Sequence, residues 1–177
     1  PSPVVNQEQC EALSKIIADV CVSLGYRGAG TMEMLRDQSG EIFFMEMNTR
    51  LQVEHTITEE RFNIDLVAEQ FKIAANHPLD LQVLYDSTKE LSDEVDRVVR
   101  YVTPKGHSIQ CRINAEDVSK NFQPTPGAIS KLVWPSMNGL RIDTHLREGD
   151  AISPHYDSMI AKVITWAPTR KEAIDKM

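Results

Sequence analysis

Residues 28–59 read GAGTMEMLRDQSGEIFFMEMNTRLQVEHTITE, and the fold turns on this stretch. Two apolar, strand-like runs flank Asp37-Gln38-Ser39-Gly40, which carries the turn chemistry of a short hairpin loop. Closing that hairpin with Arg36 opposite Glu41 sets Thr31 opposite Glu46 and Ala29 opposite Asn48. Because strand side chains alternate faces, Glu33, Glu46 and Asn48 then project from one side of the ribbon. Glu33 becomes the diagonal neighbour of Glu46, about 7–8 Å away, close enough for two carboxylates to share a cation. The donors are hard oxygens without His or Cys, which suits Mg²⁺ or Mn²⁺ carried with substrate phosphates rather than Zn²⁺. On spacing alone the same three residues fit a solvated polar face equally well. A slip of one residue would send Glu33 to the opposite face.

Beyond the hairpin, Asn48-Thr49-Arg50-Leu51-Gln52-Val53-Glu54-His55 reads as a charged loop entered directly from the second strand. Arg50 offers a planar fork of donors to an oxyanion, and Glu54 can take a proton from a group held there. His55 reads as a hydrogen-bonded structural residue.

Upstream, Cys10, Leu13, Ile16, Ile17, Val20, Cys21 and Leu24 recur at helical intervals, which predicts an amphipathic helix over 7–24 packed on the hairpin. Asn6 caps its start and Gly25 ends it. Gly25, Gly28 and Gly30 follow a helix and precede a strand, the reverse of the order a nucleotide-phosphate loop needs. Downstream, residues 64–75 predict a second helix, capped by Asn63 or Asp65. Residues 92–100 suggest a short helix within a surface excursion over 85–101. From His107 the chain changes to short strands over 107–114, 128–134, 140–144, 151–152 and 157–165, with turn signals between them. Thr169 to Met177 reads as a charged helix. The expected class is α+β.

The 177 residues are 41% hydrophobic and 25% charged, ordinary globular composition. A formal charge of −7 argues against a general nucleic-acid surface while leaving local basic pockets for phosphates. No run reaches the length of a membrane span and no secretory pattern opens the residues, so a soluble protein without a membrane partner is expected. Cys10, Cys21 and Cys111 are scattered without metal spacing and read as reduced thiols. The first and last residues suggest a piece of a longer polypeptide.

Four separated motifs stand in one order: Glu33 with EMNTRLQVEH at 46–55, CRINAED at 111–117, FQPTPGAI at 122–129 and HYDSMIAKVI at 155–164. Together they resemble the biotin carboxylase family of ATP-grasp enzymes over nearly the whole chain. The resemblance implies the C-terminal part of an ATP-grasp domain over 1–84, a linker or insertion over 85–105, and a truncated biotin carboxylase C-terminal domain over 106–177. It implies an ATP-dependent ligase in which ATP and bicarbonate give carboxyphosphate, and the released CO₂ is captured by biotin on a separate carrier domain. The parent would be acetyl-CoA carboxylase, of fatty acid biosynthesis, or a related acyl-CoA or pyruvate carboxylase.

By the same resemblance Glu33, Glu46 and Asn48 would hold Mg²⁺ or Mn²⁺ on the ATP phosphates, and Leu35 and Met45 would lie against the adenine. Arg50, Gln52 and Val53 would bind bicarbonate and Glu54 would be its general base. Arg112 would stabilise the biotin ureido oxygen; read from residues alone, it equally pairs with Glu116 or Asp117. Tyr156 and Asp157, in the run that His155 begins, would support the biotin side. Expected partners are the biotin carboxyl carrier domain, the missing N-terminal half and a second copy in a homodimer. The expected compartment is the cytoplasm, or the mitochondrial matrix in a eukaryote. Without the N-terminal half, which holds the lid and the phosphate lysines, the piece would have little turnover. Two readings stand beside it: a non-catalytic module for dimerisation or carrier docking, and another ATP-grasp ligase such as a carbamoyl-phosphate synthetase.

Overall fold

The structure is a computed structural model that describes residues 2–78 and 104–177. The helix expected over 92–100 and the excursion over 85–101 lie outside the described residues. The chain divides into two compact units, Pro1–Lys105 and Gly106–Met177. Both combine helices with antiparallel strands, an α+β fold.

The first unit opens with α1 (Gln7–Ser23). Asn6 Oδ1 accepts the Gln9 backbone N–H at 2.8 Å, and Gln9 Oε1 accepts the Asn6 N–H at 3.1 Å, a reciprocal cap. Gly25 takes a left-handed φ of 58° just beyond the last turn. The helix does not close its apolar stripe on the hairpin as expected. No α1 residue is buried, and Ile16 and Val20 of the stripe are 55% and 37% exposed. A two-stranded ribbon presents too little area to cover one face of a 17-residue helix.

Strands β1 (Thr31–Arg36) and β2 (Ile42–Asn48) form the hairpin. Its register differs from the sequence reading, in which Arg36 faces Glu41. Instead Arg36 pairs with Ile42, Leu35 with Phe43 and Met34 with Phe44. The cause is Asp37, whose carboxylate accepts the Ser39 hydroxyl at 2.7 Å and the Glu41 N–H at 2.9 Å. The Asp37 N–H in turn donates to the Glu41 carbonyl at 2.9 Å, so the ladder runs one pair further into the loop. Gly40 completes the turn at φ 96°, in the region glycine favours.

Two helices follow: α2 (His55–Phe62), which the sequence reading did not foresee, and α3 (Leu66–Ala74). Asp65 caps α3 by accepting the Ala68 N–H at 2.8 Å. Asn63 instead ends α2 at a left-handed φ of 52°.

The second unit is built on β9 (Met159–Ala167), which lies between β3 (His107–Asn114) and β7 (Leu140–Asp143). Two-residue ladders join β4 (Glu116–Asp117) to β5 (Gln123–Pro124) and β6 (Gly127–Ala128) to β8 (Ala151–Ile152). The strand expected over 128–134 ends at Ala128, because Ile129 bonds to Asp150 and Gly149 in the turn before β8 rather than to a neighbouring strand. The charged terminal run forms α4 (Arg170–Lys176), capped reciprocally by Thr169 and Glu172. Thr165, fully buried on β9, donates its hydroxyl to the Ala173 carbonyl of α4 at 2.8 Å.

Candidate active site

The hairpin register that begins at Arg36 and Ile42, carried on unbroken, would oppose Glu33 to Met45 and turn Glu46 to the other face. A bulge prevents this. Met45 is the extra residue, and beyond it Glu33 faces Glu46, Met32 faces Met47 and Thr31 faces Asn48. Glu33 and Glu46 are therefore directly opposite each other, not diagonal, and Asn48 follows on the same face.

The Asn48 amide bridges the two acids, donating from Nδ2 to Glu33 Oε1 at 2.7 Å and to Glu46 Oε1 at 3.3 Å. Gln52 Nε2 donates to the same Glu33 oxygen at 2.9 Å. Leu35 and Phe43 are paired two residues further along this face and are 58% and 51% exposed. The face thus runs from an open apolar end to an acidic end. Among the described residues no group of three His, Cys, Asp or Glu is placed to hold a metal ion. The set here is two carboxylates and an amide, all oxygen-bearing, and it fits a hard divalent cation that keeps its other ligands from phosphate or water.

The loop after β2 folds over this acidic end. Arg50 is exposed, its Nη1 donating to the Leu51 carbonyl at 3.3 Å. Gln52 and Val53 are half-buried, while Glu54 is exposed at the N-cap of α2. His55 Nδ1 lies 2.7 Å from the Gln52 carbonyl. One turn later comes Glu59, a buried acid that sequence reasoning missed. Its only signal in the sequence is a spacing of four residues from His55 on a helix.

In the second unit the separated motifs converge. Ser158, of the HYDSMIAKVI run, donates its hydroxyl to Glu116 at 2.6 Å, and its carbonyl accepts the Ala115 N–H at 2.9 Å. Thr125, of FQPTPGAI, donates its N–H to the Ala115 carbonyl at 2.8 Å. Glu116 is thereby engaged with Ser158 and Asn114, and Asp117 with Lys120 at 3.2 Å. Arg112 is exposed on β3 directly opposite Lys162 on β9, and Lys162 lies 3.5 Å from Asp143. Tyr156 is 83% exposed, and His155 and Asp157 are exposed beside it.

Residues 110–177 match the biotin carboxylase C-terminal domain, and residues 1–82 match the ATP-binding domain of the carbamoyl-phosphate synthase L chain. Biotin carboxylase of Haemophilus influenzae is 45% identical over all 177 residues. Over its whole length the chain is similar to biotin carboxylases. It spans 36% of the length of that relative.

Solved biotin carboxylases superpose on the whole chain. One is the biotin carboxylase domain dimer of Hydrogenobacter thermophilus 2-oxoglutarate carboxylase, in complex with MgADP, ADP and bicarbonate. It has 39% identity and a TM-score of 0.84, with 36% of that chain covered. Another is the biotin carboxylase subunit of a pyruvate carboxylase, 41% identical with the same TM-score and 36% of that chain covered. Biotin carboxylases are ATP-dependent ligases, and this chain spans about a third of the length of those it matches. The first unit gathers Glu33, Glu46, Asn48, Gln52 and Arg50 on and just beyond one face of its hairpin, and Arg112 stands in the second unit.

Proposed function

We propose that the chain is the C-terminal portion of a biotin carboxylase that carboxylates biotin on a carrier domain, using ATP and bicarbonate through carboxyphosphate. Residues 1–84 are read as part of the ATP-grasp domain and 106–177 as the C-terminal domain, joined through 85–105. The observation that carries the reading is the direct opposition of Glu33 and Glu46 on one face with the Asn48 amide between them.

Glu33, Glu46 and Asn48 are the residues to hold Mg²⁺ or Mn²⁺, and a half-turn of the Asn48 amide would exchange Nδ2 for the oxygen a cation requires. A cation held by these residues would supply positive charge to offset the negative charge of the transferring phosphoryl group. Leu35 and the bulged Met45, 58% and 46% exposed, offer apolar surface to the adenine. Arg50 clamps bicarbonate with Gln52 and the Val53 backbone, because a weak nucleophile gains most from being held in line. Glu54 takes its proton. Arg112 stabilises negative charge on the biotin ureido oxygen as it develops. The rest of the ATP site belongs to the N-terminal half, and the H. thermophilus relative, solved as a dimer, supports pairing with a second copy. Absence of a helix long and apolar enough to cross a membrane among the described residues is compatible with action in the cytoplasm or a matrix.

The test uses the full-length protein that contains this chain. Bicarbonate-dependent ATP cleavage is expected to fall about 100-fold or more in Glu46→Gln and in Arg50→Ala, the scale of losing one charged group aimed at a transition state. Undiminished cleavage in both variants would falsify the reading.

A further inference from the structure

Glu59 has no part in the chemistry set out above, and its surroundings give it another task. It lies one turn after His55 on α2 and is 5% exposed. A carboxylate withdrawn from water is costly unless its oxygens are matched. Oε1 accepts the backbone N–H of Leu66, the first residue of α3, at 2.8 Å. Oε2 faces His55 Nε2 at 3.8 Å. On the far side of that ring, Nδ1 stands 2.7 Å from the Gln52 carbonyl oxygen. A carbonyl only accepts, so Nδ1 carries a hydrogen and donates it. Gln52 then reaches back through Nε2 to Glu33 Oε1 at 2.9 Å. These groups stand in one line from the start of α3 to the first acid of the hairpin, hydrogen-bonded at every link but that between Glu59 Oε2 and His55 Nε2, which at 3.8 Å is an ion pair when the imidazole is protonated.

We propose that Glu59 is a positioning residue: through His55 it holds the main chain of Gln52, and so the side chain that aims the Glu33 carboxylate at a divalent cation. This rests on the reading of Glu33 and Glu46 as cation ligands. Partners one step behind a metal ligand commonly carry about 10–100-fold of metal affinity.

The experiment measures Mn²⁺ binding to the full-length protein in the presence of ADP, by loss of the free-ion electron paramagnetic resonance signal, beside the Mg²⁺ dependence of ATP cleavage. Glu59→Ala is expected to raise both the Mn²⁺ dissociation constant and the half-saturating Mg²⁺ about 10-fold. Glu59→Gln keeps an oxygen for Leu66 but replaces the carboxylate facing His55, so it should fall between Glu59→Ala and the unaltered protein. A lower unfolding midpoint with unchanged Mn²⁺ affinity in the folded protein makes Glu59 purely structural and overturns the proposal. If Glu59→Ala does not fold, Glu59→Gln and His55→Gln decide the matter by the same criterion. Glu46→Gln separates the two levels of inference. Unchanged Mn²⁺ affinity there sinks the cation site itself, whereas weakened affinity with normal Glu59 and His55 variants sinks only the relay.

Discussion

The two units differ in what their described residues bury: the second buries apolar side chains beside Ser108 and Thr165, and the first buries none. Among the described residues the buried apolar side chains are Ala161, Ile164, Ala167 and Ala173, all in the second unit. The buried residues of the first are Thr56 and Glu59, both polar, while Leu35, Phe43, Phe44 and Met45 on its hairpin are exposed. Topology accounts for the contrast. Strand β9 has a neighbour on each edge and α4 against it, so its apolar side chains find cover within 72 residues of chain. A hairpin of two strands has no central strand to bury. It keeps its shape through a tightened turn, a bulge and polar contacts, and leaves apolar surface exposed. The lesson is that one unit of this chain is scaffold by packing, and the other is a candidate site held by hydrogen bonds.

That contrast breaks most easily at Ile164. Its side chain is fully buried on β9, so Ile164→Ala should cost about 2–5 kcal/mol. The urea midpoint of the second unit should fall while the first unit's transition stays in place. A shift shared equally by both transitions would show that the two units do not hold their cores separately.

Deleting Met45 is the matching change in the hairpin. It removes the bulge and leaves Glu33 opposite Glu46 in an unbroken ladder, because the residue removed is the one the bulge adds. Mn²⁺ affinity should therefore be retained, while the apolar surface that Met45 offers is lost. The second unit's unfolding midpoint should not move. Loss of metal binding would mean that the bulge sets the geometry of the acids beyond the face they share.

Met45 also shows where the sequence was legible and where it was not. The Asp37–Gly40 turn and the flanking apolar runs announce a hairpin, because turn chemistry and β-propensity are local. The parity of the pairing depends on two single-residue events, closure of the loop at Asp37 and insertion of Met45, and neither disturbs any pattern of residue types. Their effects on parity offset each other, so Glu33, Glu46 and Asn48 share a face in a register that differs throughout from the one expected. Helix α2 escaped for another reason. HTITEERF has three consecutive β-branched residues and no apolar stripe, and its contacts include those of His55 with the loop before it and of Glu59 with the start of α3. By contrast, α1 starts at the cap its sequence names, Asn6, and α3 at one of the two it offers, Asp65. The ladders β4–β5 and β6–β8 are two residues long, below the length at which alternation can be seen.

The smallest effect belongs to a charged cluster of the second unit, on the β3-β9-β7 sheet. Asp143 on β7 accepts Arg141 Nε at 2.7 Å and Nη2 at 2.9 Å, and Lys162 of β9 lies 3.5 Å away. Burial pushes the Asp143 carboxyl up, but the hydrogen bonds and charge of Arg141, with Lys162, outweigh it and leave it below the usual carboxylate value. Between the lowered folded value and the unfolded value of about 3.9, the unfolded chain binds more protons than the folded one. Stability from this cluster is therefore fully present above about pH 5 and is lost as the pH falls through the folded value. The contribution should be about 0.2–1 kcal/mol, the range for ion pairs that water still reaches. Urea midpoints of the second unit, taken from pH 5 downwards, should decline less steeply in Asp143→Asn than in the unaltered chain. Equal slopes would show that Asp143 adds nothing to the acid sensitivity of the β3-β9-β7 sheet, leaving its stability to apolar burial alone.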